Sequence, residues 1–235
     1  MKDKTDCIRL NLGITKVYLV PCDGGFLLID TGYEGDYQKF RRKLTRNGVR
    51  IREIKYLLLT HYHDDHAGFA DKLKREFGIP LIVQKESIPL LKLGDGDAGV
   101  KGSYISRRLQ VLFFFFSLFH RSFRYPPVII TEEDIVVDGD DDHVLRNIGV
   151  AAGILYTPGH TVDSMSVLFD DGTAIVGDAA MNFLKFTGSR YRPIYYTDRD
   201  KMYSSIRRLV SAGAQTILPA HGNPYPVGKL SKLLE

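Results

Sequence analysis

The stretch LLLTHYHDDHAG, Leu57–Gly68, places His61, His63, Asp64, Asp65 and His66 within six positions, directly behind an apolar run. In an extended segment alternate side chains share a side, so His61 and His63 face one ion together. Once the chain turns into a helix, expected from about Ala67, Asp65 and His66 point elsewhere and grip a second ion. Imidazole and carboxylate donors suit zinc, with iron or manganese as alternatives. Histidines at this density have little use in packing, which leaves metal binding as the reading of the cluster. Asp64 reads as a solvated position.

A metal needs more ligands, and three further loops supply them. TPGHT carries His160, IVGDAA carries Asp178 and LPAHG carries His221, each just behind an apolar strand-like run. In an open α/β sheet the binding site lies outside the strand ends, so these loops are where ligands belong.

Around them the pattern alternates. IRLNLG, VYLVP and FLLIDTG read as short strands broken by Gly, Pro and Asp. DYQKFRRKLTRNG reads as a helix capped by Asp36, with Phe40 and Leu44 on one face, and IKYLLLT as a buried strand. AGFADKLKREFG reads as a helix closed by Gly78, followed by the strand PLIV. VIITEEDIVV, GILYTPGH, SMSVLFDDGTAIVGDAA and QTILPAHG continue the strands, and TDRDKMYSSIRRLVSAGA is a helix with Ile206, Leu209 and Val210 on one side. Strands alternating with helices predict an α/β core. Two such halves predict two sheets between helical layers in a single domain over residues 1–235.

These residues together resemble the metallo-β-lactamase superfamily, whose motif is HxHxDH followed by a later His, Asp and His. The resemblance covers nearly the whole chain and implies an αββα sandwich. By it, His61, His63 and His160 hold a first metal, Asp65, His66 and His221 a second, and Asp178 bridges both. It also implies that Asp30, in LLIDTG, supports the metal loops, and that Asp65 and Asp178 help move protons. The implied cofactor is a pair of divalent ions, zinc first, with iron or manganese as substitutes. The implied reaction is attack by a metal-bound hydroxide on a small ester, thioester or lactone. Three alternatives stand beside it: a mononuclear iron oxygenase similar to the persulfide dioxygenases, a phosphodiesterase, and a metal-binding protein without catalysis.

Departures from named branches narrow the choice. His63 stands where flavodiiron proteins have Glu. The 235 residues leave no room for nucleic-acid exosites, and the chain ends 14 residues after His221, without room for glutathione-binding helices. Quorum-quenching lactonases carry a Tyr three residues after the bridging Asp, where this chain has Met181; Tyr195 or Tyr196 would have to replace it in the substrate pocket.

Between His66 and His160 the chain is longer than in compact relatives, with an insertion at about 85–127. It contains Phe113–Phe116 with Leu109, Leu112, Leu118 and Phe119, flanked by Arg107, Arg108, Arg121 and Arg124. Four readings compete: a core helix, a lid, a dimer interface and a membrane-surface anchor. Lid and interface are favoured, with Phe114 and Phe115 lining the substrate pocket and a homodimer expected. His120, His143 and Asp140, Asp141 and Asp142 read as surface features.

Composition bounds the rest. The net charge is +4, too mild to suggest nucleic acid as a partner. No apolar run approaches about 18 residues, so no stable membrane insertion is expected. The start reads as lacking an export signal. Cys7 and Cys22 read as thiols in a reducing cytosol, or as a cross-strand pair on an early hairpin. The expected setting is cytoplasmic, with a small-molecule substrate.

Overall fold

A computed structural model describes residues 6–97, 101–117 and 122–235. In chain order the strands are β1 Ile8–Asn11, β2 Lys16–Cys22, β3 Gly25–Ile29, β4 Ile54–Leu58, β5 Leu81–Gln84, β6 Ser103–Tyr104, β7 Ile135–Val137, β8 Ala152–Tyr156, β9 Met165–Phe169, β10 Thr173–Ile175, β11 Tyr195–Tyr196, β12 Thr216–Leu218 and β13 Tyr225–Pro226. The α-helices are α1 Tyr37–Arg46, α2 Asp64–Ala67, α3 Ala70–Phe77, α4 Ser87–Leu93, α5 Arg107–Ser117, α6 Arg199–Ser211 and α7 Gly228–Ser231.

Two sheets form. One runs β1-β2-β3-β4-β5-β7, the other β13-β12-β10-β9-β8. Three apolar clusters define the layers. Tyr18, Leu27, Ile29, Leu58 and Ile82 of the first sheet meet Ile154, Met165, Val167 and Ile175 of the second. On the outer side of the first sheet, Leu19, Leu28, Leu57 and Leu81 pack on Phe40, Leu44, Phe69 and Leu73 of the helical layer. On the outer side of the second, Ala174, Val176 and Ile217 pack on Met202, Ile206 and Leu209 of α6. Period-2 alternation sends successive side chains of each strand into different layers, which produces the αββα sandwich.

The sheets are pinned together at one end. Met165 N donates to Thr60 O at 2.9 Å, and Lys16 N to Ala220 O at 2.9 Å. Two glycines allow the loops there to close. A Cβ on Gly159, at φ +133°, would overlap the backbone of Met202 at the start of α6. One on Gly177, at φ +48°, would overlap the Thr60 hydroxyl. Only glycine combines these dihedrals with such approach.

Several local expectations are corrected. Helix begins at Asp64 rather than near Ala67, and Asp64 is buried. Burial, and then Asp65, push its carboxyl up to about 7. Asp36 gives α1 no side-chain cap, because a short 3-10 turn, Glu34–Asp36, leads into it. Of VIITEEDIVV only Ile135–Val137 is strand: Asp134 accepts from the backbone of Thr131 and Leu81 and folds the preceding residues into a turn. Of the two readings of Cys7 and Cys22, the free thiols hold and the cross-strand pair does not. The β1–β2 register, with Ile8 opposite Leu19, leaves them unmatched. Asp140 and Asp141 order the loop before β8 by accepting backbone N–H groups of Tyr156, His143 and Val144. Expectations on Leu118, Phe119, His120 and Arg121 lie outside the described residues.

Candidate metal centre

Four strands deliver ligands at their carboxyl ends. His61, His63, Asp65 and His66 follow β4, the last two on α2. His160 follows β8, Asp178 follows β10 and His221 follows β12. All seven come together. His61 Nε2 lies 3.2 Å from His63 Nδ1, and His160 Nε2 lies 3.1 Å from that same atom. His221 Nε2 is 3.1 Å from Asp65 Oδ2 and 3.3 Å from Asp178 Oδ1. His66 Nε2 is 3.6 Å from Asp178 Oδ1, and His160 Nε2 is 3.5 Å from Asp178 Oδ2. Asp178 thus reaches toward both halves of the cluster.

The far side of each ring fixes which nitrogen faces inward. His66 Nδ1 donates to Asp30 Oδ2 at 2.8 Å, His160 Nδ1 to the carbonyl of Tyr195 at 2.8 Å, and His221 Nδ1 to the carbonyl of Ile14 at 3.2 Å. Thr60 Oγ1 spends its one proton on Asp30 Oδ2, at 2.8 Å, and so accepts from His61 Nδ1 at 3.1 Å. Four Nε2 atoms therefore face the centre. His63 Nδ1 has at most one proton, which cannot serve both facing nitrogens.

Donor atoms facing one another at such distances need protons or a metal cation between them. His66 Nε2 and Asp178 Oδ1 are moreover buried without a hydrogen-bond partner. Both facts fit a divalent metal, which takes imidazole and carboxylate donors and leaves no such atom orphaned. Among the described residues three sets, His61/His63/His160, His61/His66/Asp178 and Asp65/His66/His221, each bring their ligand atoms within 4.8 Å of one another.

The electrostatics divide the cluster in two. Burial, then neighbouring imidazoles, push His61 well below its ordinary value and His63 down to about 3. Burial also lowers His160. Burial would lower His66 and His221 as well, but carboxylates outweigh it. Asp65, Asp30 and Asp178 raise His66 well above its ordinary value, and Asp178 with Asp65 carries His221 up to about 10. In return, against burial, His66 and His221 hold Asp65 and Asp178 below the usual carboxylate range. One half is a neutral nitrogen triad; the other balances two carboxylates against two imidazoles.

Asp30 supports the arrangement. Its carboxylate accepts from Thr60 N at 2.7 Å, the Thr60 hydroxyl and His66 Nδ1, tying β3 to the loop after β4. Its backbone is left-handed, φ +63°, a strain of roughly 1–2 kcal/mol. Two supports escaped the sequence. Thr15 donates to Asp65 Oδ2 at 3.0 Å from the turn between β1 and β2. Thr60 joins Asp30 to His61. Thr60 is adjacent to His61 and had a local signal; Thr15 is fifty positions from Asp65 and had none.

Of the expected pocket residues, Tyr195 is the one near the ligands, its ring centroid 6.4 Å from that of His160. Tyr196 packs instead against the core beneath α6. Phe114 and Phe115 face solvent. They are 62% and 57% exposed on the outward side of α5. Helical spacing turns Leu109 and Phe113 inward in their place, and Phe113 stacks on Tyr104 at 5.0 Å between centroids. Tyr104 in turn meets Tyr195 edge-on at 5.6 Å, so α5 reaches the metal loops through the ribbon of β6 and β11.

The family model of the metallo-beta-lactamase superfamily matches residues 10–221, and the chain belongs to that superfamily. A probable metallo-hydrolase of Methanocaldococcus jannaschii is 29% identical over 152 residues, 65% of this chain and 61% of that protein. A hydroxyacylglutathione hydrolase of Rhodopseudomonas palustris is 26% identical over 132 residues, 56% of this chain and 34% of that one. The chain spans 56–62% of the length of the first curated relatives it matches. A metallo-beta-lactamase family protein of Thermus thermophilus shares the fold with TM-score 0.67 at 18% identity, over 97% of this chain and 77% of that one.

Proposed function

We propose that the chain is a dinuclear metallohydrolase acting on a small ester, thioester or lactone. One observation carries this reading: seven donors converge, and Asp178 directs its two oxygens at opposite halves of the set. His61, His63 and His160 would hold one ion, Asp65, His66 and His221 the other, with Asp178 between them. Zinc suits the donors best; iron and manganese are the alternatives. Bound divalent ions supply an activated water at neutral pH and polarise the oxygen of a carbonyl.

The protein's own residues do the rest. Asp30, Thr60 and the carbonyls of Ile14 and Tyr195 fix the imidazoles so that no reorientation is needed during reaction. Asp65 and Asp178, ionised and buried, are placed to take up and return a proton. Tyr195 and Tyr104 offer an aromatic wall beside His160, which favours a substrate with an apolar part. Relatives named metallo-hydrolase and hydroxyacylglutathione hydrolase support hydrolysis as the reaction class.

A panel of p-nitrophenyl acyl esters, acyl lactones, thioesters and phosphodiesters, run with an oxygen electrode, tests the reading. Acyl substrates should turn over, faster with longer chains, and chelation should abolish turnover. Faster phosphodiester cleavage would overturn the substrate class. Oxygen uptake with a thiol substrate would overturn hydrolysis in favour of the oxygenase.

A further inference from the structure

Helix α5 is apolar on two opposite faces, and one of them packs into the fold. Leu109 is fully buried and Phe113, one turn later, lies on Tyr104. The other face presents Val111, Phe114 and Phe115, each more than half exposed. The loop Lys185–Thr187 lies against the start of the helix: Arg108 Nη1 donates to the carbonyl of Phe186 at 3.2 Å, and the Ser106 hydroxyl to that of Thr187 at 2.7 Å. In that loop Phe186 is 72% exposed. Apolar side chains of this size grouped on a surface mark a place where something binds.

The charges around them say what. The described residues of 101–131 and those of 179–197, joined through the β6–β11 ribbon and these two hydrogen bonds, hold seven of the chain's 32 Lys and Arg and none of its 28 Asp and Glu. Arg107, Arg108, Lys101, Lys185 and Arg190 are exposed. Outside these two segments acids outnumber bases, so the mild net charge hides a basic, aromatic side. A second copy docking through this face would set Arg107, Arg108 and Lys185 against their own counterparts, while Arg124 is already paired with Asp95 at 3.7 Å. An anionic surface meets the same groups favourably. At 11 residues α5 is too short to cross a bilayer. Bulky apolar side chains beside a basic rim are the pattern of a helix lying in the headgroup layer.

We infer that the outer face of α5, with Phe186, docks on an anionic lipid surface. The inference does not rest on the hydrolase reading, since its readouts need neither metal nor substrate. The chain contains no tryptophan, so the indole of a Phe115→Trp variant reports on this face alone. With vesicles of phosphatidylcholine and phosphatidylglycerol at low salt, the emission of that indole should shift to the blue and the unsubstituted protein should co-float. Phosphatidylcholine alone should bind less, and 0.5 M salt should release the protein. Each basic residue near such a surface is worth on the order of a fivefold change in partition. Arg107→Glu should therefore lower binding at least about fivefold, and the pair Phe114→Ser and Phe115→Ser should abolish it with the circular dichroism spectrum unchanged. Failure of the unsubstituted protein to float with anionic vesicles would overturn the inference, as would binding that both sets of substitutions leave intact. Blue-shifted indole emission without lipid, together with a concentration-dependent dimer in sedimentation velocity, would assign the face to a second copy instead.

Discussion

His66 Nδ1 and Asp30 Oδ2 stand 2.8 Å apart, both buried, and this contact couples the end of one strand to the metal loop of the next. It fixes the His66 ring and turns Nε2 to the centre. Asp30→Ala leaves the Nδ1 proton and the Thr60 donors without their acceptor. Metal affinity should fall about 10–100-fold, read by competition against a chromophoric chelator, while circular dichroism keeps its folded signature. Affinity unchanged within twofold would show that Asp30 does not orient His66.

Gly159 tests how closely the His160 loop must approach α6. Gly159→Ala puts a methyl group on the backbone of Met202 and forces a residue other than glycine to φ +133°. The loop must move, and His160 moves with it. We expect a loss of at least about 2 kcal/mol in unfolding free energy, measured by urea titration of metal-free protein, and weakened metal binding. A variant as stable as the parent would mean that the loop relaxes freely.

Asp163 gives a pH signature independent of the metal. It is fully buried, accepts from the Ser87 hydroxyl at 2.7 Å, and burial pushes its carboxyl from 3.8 up to about 6. Between those values the folded chain binds more protons at this site than the unfolded chain. This site's contribution to stability therefore falls as pH rises through the window and is flat on either side. Its size is on the order of 3 kcal/mol, since each tenfold difference in proton affinity between the folded and unfolded chain is worth about 1.36 kcal/mol. Urea unfolding of metal-free protein from pH 3.5 to 7 should show Asp163→Asn gaining on the parent by that order across the window. Parallel curves would sink the assignment.

The layers and the ligands were legible because each has a local signature. Strand runs such as IKYLLLT and helices such as α6 follow hydrophobic periodicity, and His61, His63 and His66 lie within six positions. Thr15 was not legible, since its contact with Asp65 exists only after β1 and β2 bring their turn beside His221. The outward position of Phe114 and Phe115 was not legible because a run of four phenylalanines has no periodicity to separate inner from outer positions. Only the packing of Leu109 and Phe113 does that. Asp64 was misread for a similar reason. It is approached by Gly96, distant in the sequence, where an added Cβ would stand 3.2 Å from Asp64 N and Oδ1.

The central claim is a bridged pair of ions, and metal content per folded chain tests it most directly. Protein loaded with zinc and passed through a desalting column should retain about two ions per chain by elemental mass spectrometry, as two sets of three donors sharing Asp178 require. Asp178→Ala should retain at most one and lose hydrolytic activity with it. A parent that holds a single ion, or an Asp178→Ala variant that keeps two and remains active, would contradict the account.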